Sequence, residues 1–210
     1  MARKILNFAL IAAVVGGAVL ACRTGAERNR LATIYQRLAQ LTGDFPINDP
    51  SKAHFLALDA EEKRHYAWGI YLPPSHARNI NFNHEVQLPP LTNGAAPTHS
   101  IVRVAINVTR AGRIMVFARY PGRRSRILSL GDEALGDFLR NRWDEIRVER
   151  LGTDGVAVVE PDQSTVLLRL TMPDSMADKA RRTLDSSIVE RHVPVLLELK
   201  LDPEPPAPKP

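Results

Sequence analysis

The stretch IVRVAINV, residues 101–108, decides the fold. Val102, Val104, Ile106 and Val108 alternate with Arg103, Ala105, Asn107 and Thr109, the two-residue period of a strand with one buried face. Moving outward, Ala111-Gly112 reads as a hairpin turn into a second strand over 114–120. Both faces of that second strand are largely apolar, which places it inside a sheet rather than at an edge. Arg119 shares the Met115 and Phe117 face and is expected to need a buried acidic partner.

The same period recurs upstream. Tyr66, Trp68, Ile70 and Leu72 alternate with His65, Ala67, Gly69 and Tyr71, with 53–58 as the hairpin partner and Pro73-Pro74 as the stop. Alternation puts Trp68 inward and Tyr71 on the opposite face, so a core tryptophan is expected rather than a ligand groove. Ile80, Phe82, His84, Val86 and Leu88 alternate with polar residues as one further strand, followed by a loop over 89–99.

Downstream, Pro121-Gly122 turns the chain, and Asp132 is the expected N-cap of a helix reaching Arg142 with Leu135, Phe138 and Leu139 facing inward. Strands are predicted at 146–151, 156–160 and 165–171, punctuated by Thr153-Asp154-Gly155 and Pro161-Asp162. A helical stretch over 175–184 precedes a last strand over 193–201 that begins near Pro194. The regular strand-helix alternation of a parallel sheet is missing. The reading is therefore an α+β fold: one mainly antiparallel, β-rich, sandwich-like domain over 44–202 with one or two helices. The remaining 203–210 is a Pro-rich, extended tail.

The N-terminus obeys a different rule. Arg3 and Lys4 precede an 18-residue run, ILNFALIAAVVGGAVLAC, over 5–22. As a helix it would be about 27 Å long, close to the hydrocarbon thickness of a bilayer. Three readings of 1–22 stay open: a retained transmembrane signal anchor, a lipoprotein signal with Cys22 as the lipidated residue, and a signal peptide cleaved after Ala21. Ala12, Ala13, Gly16 and Gly17 permit close helix contact, and Val19-Leu20-Ala21-Cys22 has the outline of a lipobox. All three readings place the protein at or through a bacterial cell membrane, in contact with lipid through 5–22. Flanking charges nearly cancel, and the signal-like layout favours an extracytoplasmic C-terminal domain.

From 23 to 43 the apolar Leu31, Ile34, Tyr35, Leu38 and Leu41 recur at three- and four-residue spacing, an amphipathic juxtamembrane helix that ends at Gly43 and Pro46. Its stripe needs cover. The simplest cover is the chain's own domain; the alternative is a two-stranded coiled coil, for which fewer than three heptads are available.

Composition narrows function by exclusion. The 210 residues carry 28 basic and 23 acidic side chains, a net charge of +5 that lends little support to nucleic acid as a partner. Cys22 is the only cysteine, so neither an intramolecular disulfide nor a cysteine-based zinc site exists. No nucleophile-elbow, phosphate-loop, dinucleotide or metalloprotease motif occurs, and no cofactor or metal is expected. The histidines His54, His65, His76, His84, His99 and His192 are scattered. Only His54 and His65 would approach each other, if 53–72 is a hairpin, and a third ligand is lacking. His84, on an apolar strand face, reads as a core histidine.

The strongest local charge signal is Arg110, Arg113, Arg119, Arg123, Arg124 and Arg126 within seventeen residues that hold no acid. Of these Arg110, Arg113, Arg123, Arg124 and Arg126 are the candidate anion-binding residues, for lipid headgroups, polysaccharide or nucleic acid. An extended 114–120 separates the two turns that bear them by roughly 23 Å, which favours solvated turns over one patch.

Tyr35 and Leu38, Asp49-Pro50-Ser51-Lys52, and Trp68 with Tyr71-Leu72-Pro73-Pro74 resemble an uncharacterised group of small, N-terminally anchored bacterial proteins, over residues 25–75. The resemblance implies the anchor-helix-strand layout and no activity. The leading expectation is a non-enzymatic envelope protein whose domain binds another protein or a surface polymer. The alternatives are an envelope hydrolase with an active site assembled from distant residues, and a membrane-tethered cytoplasmic nucleic-acid binder. The sequence leaves the oligomeric state open.

Overall fold

The computed structural model describes residues 2–60, 62–74, 76, 78–83, 86–88, 96–120, 124–131 and 133–203; the side chains of 2–15, 36, 86–88 and 124 are outside that description. His84, Arg123, the expected N-cap Asp132 and the tail from 204 onward therefore lie outside the described residues.

Among the described residues eleven strands form two antiparallel sheets, and four α-helices accompany them. The six-stranded sheet holds β1 (Ala53–Leu58), β2 (His65–Leu72), β5 (Thr98–Val108), β6 (Ile114–Tyr120), β7 (Arg124–Leu130) and β9 (Ala157–Val159) in the order β7-β6-β5-β2-β1-β9. The five-stranded sheet holds β3 (Arg78–Phe82), β4 (Val86–Leu88), β8 (Arg147–Arg150), β10 (Thr165–Thr171) and β11 (Val195–Pro203) in the order β4-β3-β11-β10-β8. Alternation works as predicted on 101–108: Val102, Val104 and Ile106 are each 1% exposed, and they face a core to which both sheets contribute. Trp68 is fully buried there, with its indole N–H donating to the Leu151 carbonyl at 3.2 Å. Each such fully buried apolar side chain contributes about 1.5–3 kcal/mol.

Helices α2 (Glu133–Leu139), α3 (Asp174–Thr183) and α4 (Ser186–His192) add Leu135, Leu139, Met176, Ala180 and Ile188 to the same core. The expected inward trio Leu135, Phe138 and Leu139 is buried.

Four expectations need correction. The run 80–88 is not one strand but the hairpin β3–β4, with Ile80 opposite Leu88. Asn83 turns the chain at a φ of 49°, a left-handed value that asparagine tolerates. Strand β7 and helix α4 were absent from the sequence reading; β7 carries arginines in an edge strand and lacks a clean apolar alternation. The strands expected at 146–151 and 156–160 are present in shorter form, as β8 and β9, and the turn between them crosses from one sheet to the other, since β8 edges one and β9 the other. Gly152 makes that crossing, at a φ of 80° and so close to β1 that a Cβ would stand 2.8 Å from the Phe55 carbonyl oxygen.

The fourth correction concerns the N-terminus. The expected separate segments 1–22 and 23–43 form a single helix α1 (Ala2–Thr42), capped by Gly43 in the left-handed region with its N–H donating to the Ala39 carbonyl. The stripe expected to pack on the domain is uncovered: Leu31, Ile34, Tyr35, Leu38 and Leu41 are between 46% and 66% exposed. Only the last turn is held, through buried Ala39 and through Gln40, whose carbonyl accepts from the Asp59 N–H and whose amide donates to the Thr153 carbonyl. Among the described residues no helix is long and apolar enough to cross a membrane; most of the run 5–22 has side chains outside that description.

One buried charge fixes how the sheets meet. Arg78, 0% exposed, opens β3, and the guanidinium donates to the carbonyl oxygens of Gln163 (2.8 Å), Glu160 (2.8 Å) and Pro161 (2.9 Å) and to Thr165 Oγ1 (3.3 Å). These acceptors lie on the turn that carries the chain from β9 in one sheet to β10 in the other. Burial pulls the arginine pKa below its ordinary value, while Asp162 and Asp202 act in the opposite direction. Arg78→Met keeps most of the stem and removes every donor. Since a hydrogen bond made by a charged group contributes about 1.5–3 kcal/mol, a loss of about 3 kcal/mol or more is expected in a urea denaturation experiment; an unchanged midpoint would show the clamp to be incidental.

Asp202, at the end of β11, gives a pH dependence. Burial alone would raise its pKa, but hydrogen bonds from Ser164, Asn81 and Lys200 outweigh that and hold it below the ordinary 3.8. A carboxyl depressed in the folded state adds stability above its unfolded pKa, and that stability fades as pH falls through the folded value. Thermal melts should therefore show Tm dropping below about pH 4, with a shallower drop in Asp202→Asn.

Candidate functional site

The outward face of the six-stranded sheet is divided in two. Over β1 and β2 it is covered: Leu56, Leu58, Ala67 and Tyr71 form a second small core with Ala39 and Phe45 from the end of α1 and the segment after it. Over β5, β6 and β7 it is open, with Phe117 38% and Ile127 59% exposed. A groove of about 460 Å³ lies along the boundary. Its floor includes Ala67, Ala105 and Phe117, its acidic wall Asp59 and Glu62, and its basic wall Arg103 and Arg119.

Strand register explains the arrangement. Ala67 pairs with Arg103, Arg103 with Arg119, and Arg119 with Ser125, so four strands place these residues in one cross-sheet row. The adjacent row on the same face runs His65, Ala105, Phe117, Ile127. Arg103 and Arg119 are thus directly opposite each other, a like-charge pairing that destabilises a sheet. Both are exposed, and among the described residues neither makes a hydrogen bond or ion pair. The acidic partner expected for Arg119 is not there. The Met115 and Phe117 face turned out to be the solvent side, where an arginine needs no buried counter-charge.

Of the five arginines marked as anion-binding candidates, the four that are described do not gather into one site. The Arg110 and Arg113 turn sits at one end of β6 and Arg124 and Arg126 at the other, as the strand length implied. Arg113 is paired with Glu133 at 3.2 Å, the Arg110 carbonyl accepts from Arg140, and Arg126 stands exposed on the edge strand. Arg123 lies outside the described residues, and Cys22 is exposed on α1.

His54 and His65 are kept apart. His54 pairs with Tyr71, six residues along β2 from His65, or roughly 20 Å at the rise of a strand. His54 is buried, with Nε2 2.7 Å from the Asp49 carbonyl and its ring edge against Tyr71, whose hydroxyl donates to the Pro50 carbonyl. These contacts brace the loop before β1. Among the described residues no cluster of three or more His, Cys, Asp or Glu side chains is placed to hold a metal. A second pocket of about 340 Å³ is lined by Asn83, Ser129, Ser187, Arg191 and buried His192, between β7, the end of β3 and α4.

Sequence reading passed over Arg103 and Asp59. The alternation of 101–108 did place Arg103 on the polar face, but only register sets it beside Arg119, and register is not written in either strand alone. Relieving the repulsion should help the fold: Arg119→Thr is expected to raise stability by about 0.2–1 kcal/mol in chemical denaturation, whereas a loss would mean that the arginine supports the sheet. Compared with protein-family models, with curated proteins and with solved structures, the chain matches none.

Proposed function

We propose that this chain is a non-enzymatic binding module held at a bacterial membrane by residues 5–22, with its β-rich domain displayed outside the cytoplasm. The observation that carries the reading is the way α1 leaves the domain. At 41 residues the helix is about 60 Å long, and of its described side chains only Ala39 is buried. Everything described from Gly16 to Tyr35 is exposed, including Val19 at 61% and Leu20 at 66%. Apolar residues at the end of an 18-residue apolar run have no cover in the protein, and lipid is the solvent that suits them. The basic side chains Arg23, Arg28, Arg30 and Arg37 follow the run, where a headgroup region would meet them. The binding half of the reading draws on the open face of the six-stranded sheet, which offers an accessible groove with unpaired arginines and exposed Phe117.

A hydrolase is the second reading, and the pocket that joins Ser129 and Ser187 with buried His192 is the place for it. Covalent labelling of either serine by a fluorophosphonate probe would favour that reading over the first.

Cell fractionation tests the tether. The full chain should sediment with membranes and resist carbonate extraction, and a chain lacking 1–22 should be released. Protease added to spheroplasts should digest the domain if it faces outward. Mass spectrometry of the mature N-terminus separates the retained, lipidated and cleaved forms. A full chain found wholly in the cytosol would sink the proposal.

A further inference from the structure

We propose that the groove along Arg103 and Arg119 receives a short extended segment of a partner protein, one that carries an acidic and a basic residue on either side of apolar ones. This names the partner class of the binding module proposed above and rests on that reading.

Charge complementarity selects the occupant. The two guanidiniums project from neighbouring strands in one row, without a hydrogen-bond or ion-pair partner among the described residues, and their forked donors suit a carboxylate. Their direct opposition disfavours the empty sheet, and an anion lodged between them turns that repulsion into attraction. The far wall has the reverse sign, with Asp59 and with Glu62, whose carboxylate also stands 3.2 Å from His65 Nδ1. Nucleic acids and anionic polysaccharides carry one sign along their length. In this groove a polyanion held by Arg103 and Arg119 would run against the two acids. A polypeptide alone among the common polymers carries both signs with apolar groups between them. The floor is built for those groups: Ala67 and Ala105 are small, and Phe117 offers an exposed ring. At about 460 Å³ the groove falls in the range of about 300–1,000 Å³ typical of ligand sites.

The test pans a random twelve-residue peptide library on the full chain in detergent micelles. Enriched peptides should share an acidic and a basic residue separated by apolar ones. The best of them, synthesised and labelled, should bind the Arg103→Gln/Arg119→Gln double variant at least tenfold more weakly, and its affinity should fall with added salt. Tm of the double variant should be unchanged or higher, since the substitutions relieve a like-charge contact. Several results overturn the proposal: no enrichment, a consensus without an acid, undiminished binding to the double variant, or a lowered Tm that makes the arginines structural. Heparin or a thymidine oligonucleotide bound through Arg103 and Arg119 in place of peptide overturns it too. These outcomes are separable from failure of the tether, because fractionation reads the tether and peptide binding reads the groove.

Discussion

Across the apolar core that both sheets share, one directional contact sets which turn meets which edge: the buried cation Arg78. Hydrophobic burial draws sheet faces together without directing which turn joins which edge, whereas the guanidinium of Arg78 is directional. Its hydrogen bonds to Glu160, Pro161, Gln163 and Thr165 hold the crossing from β9 to β10 against the first residue of β3. Three carbonyl oxygens and the Thr165 hydroxyl accept from the two terminal nitrogens, the Nε–H finds no acceptor among the described residues, and Asp162 and Asp202 lower the cost of keeping the charge inside. Lys52 with Glu160 and Ser164 with Asp202 tie down the same corner from the surface. The groove depends on this corner indirectly, since β1 is paired on one side by β9 and on the other by β2, which in turn pairs the arginine strands.

Legibility in the sequence followed the strength of the two-residue period. Residues 101–108 bury one clear apolar face, 65–72 are buried on both, and the strands β2, β5 and β10 lie where the pattern put them. On 114–120 the pattern found the strand but not its orientation. Val116 and Phe117 are both apolar, yet Val116 is fully buried and Phe117 is 38% exposed. That ambiguity is why Arg119 was expected to need a partner. Arg78 gave no signal at all, because a lone arginine near a strand start reads as surface until the carbonyls around it are placed. Strand β7 was hidden for a related reason: an edge strand keeps charged residues to discourage further pairing, so its composition resembles a loop.

Helix α1 shows the limit of reading amphipathicity as a packing instruction. Five apolar positions at helical spacing predicted a covered face, and the cover does not come from this domain. Helix formation here does not depend on tertiary contact, since a helix of 41 residues is well beyond the length at which nucleation is limiting. The local back-bonds from Thr24, Thr33 and Thr42 to carbonyls four residues earlier let polar side chains join the helix without outside partners. Of its described side chains, those that touch the domain lie in the last turn, at Ala39 and Gln40.

That attachment also explains why the groove lies where it does. Ala39 and Phe45 cover the outward face of the six-stranded sheet as far as Ala67 and stop. Ala67 belongs to the small core on one side and to the groove floor on the other. The wall at Asp59 is held by the same turn of α1, through the bond from the Asp59 N–H to the Gln40 carbonyl. The acidic side of the groove thus begins where the last turn of α1 is fastened, and its basic side is carried by the paired strands β5 and β6.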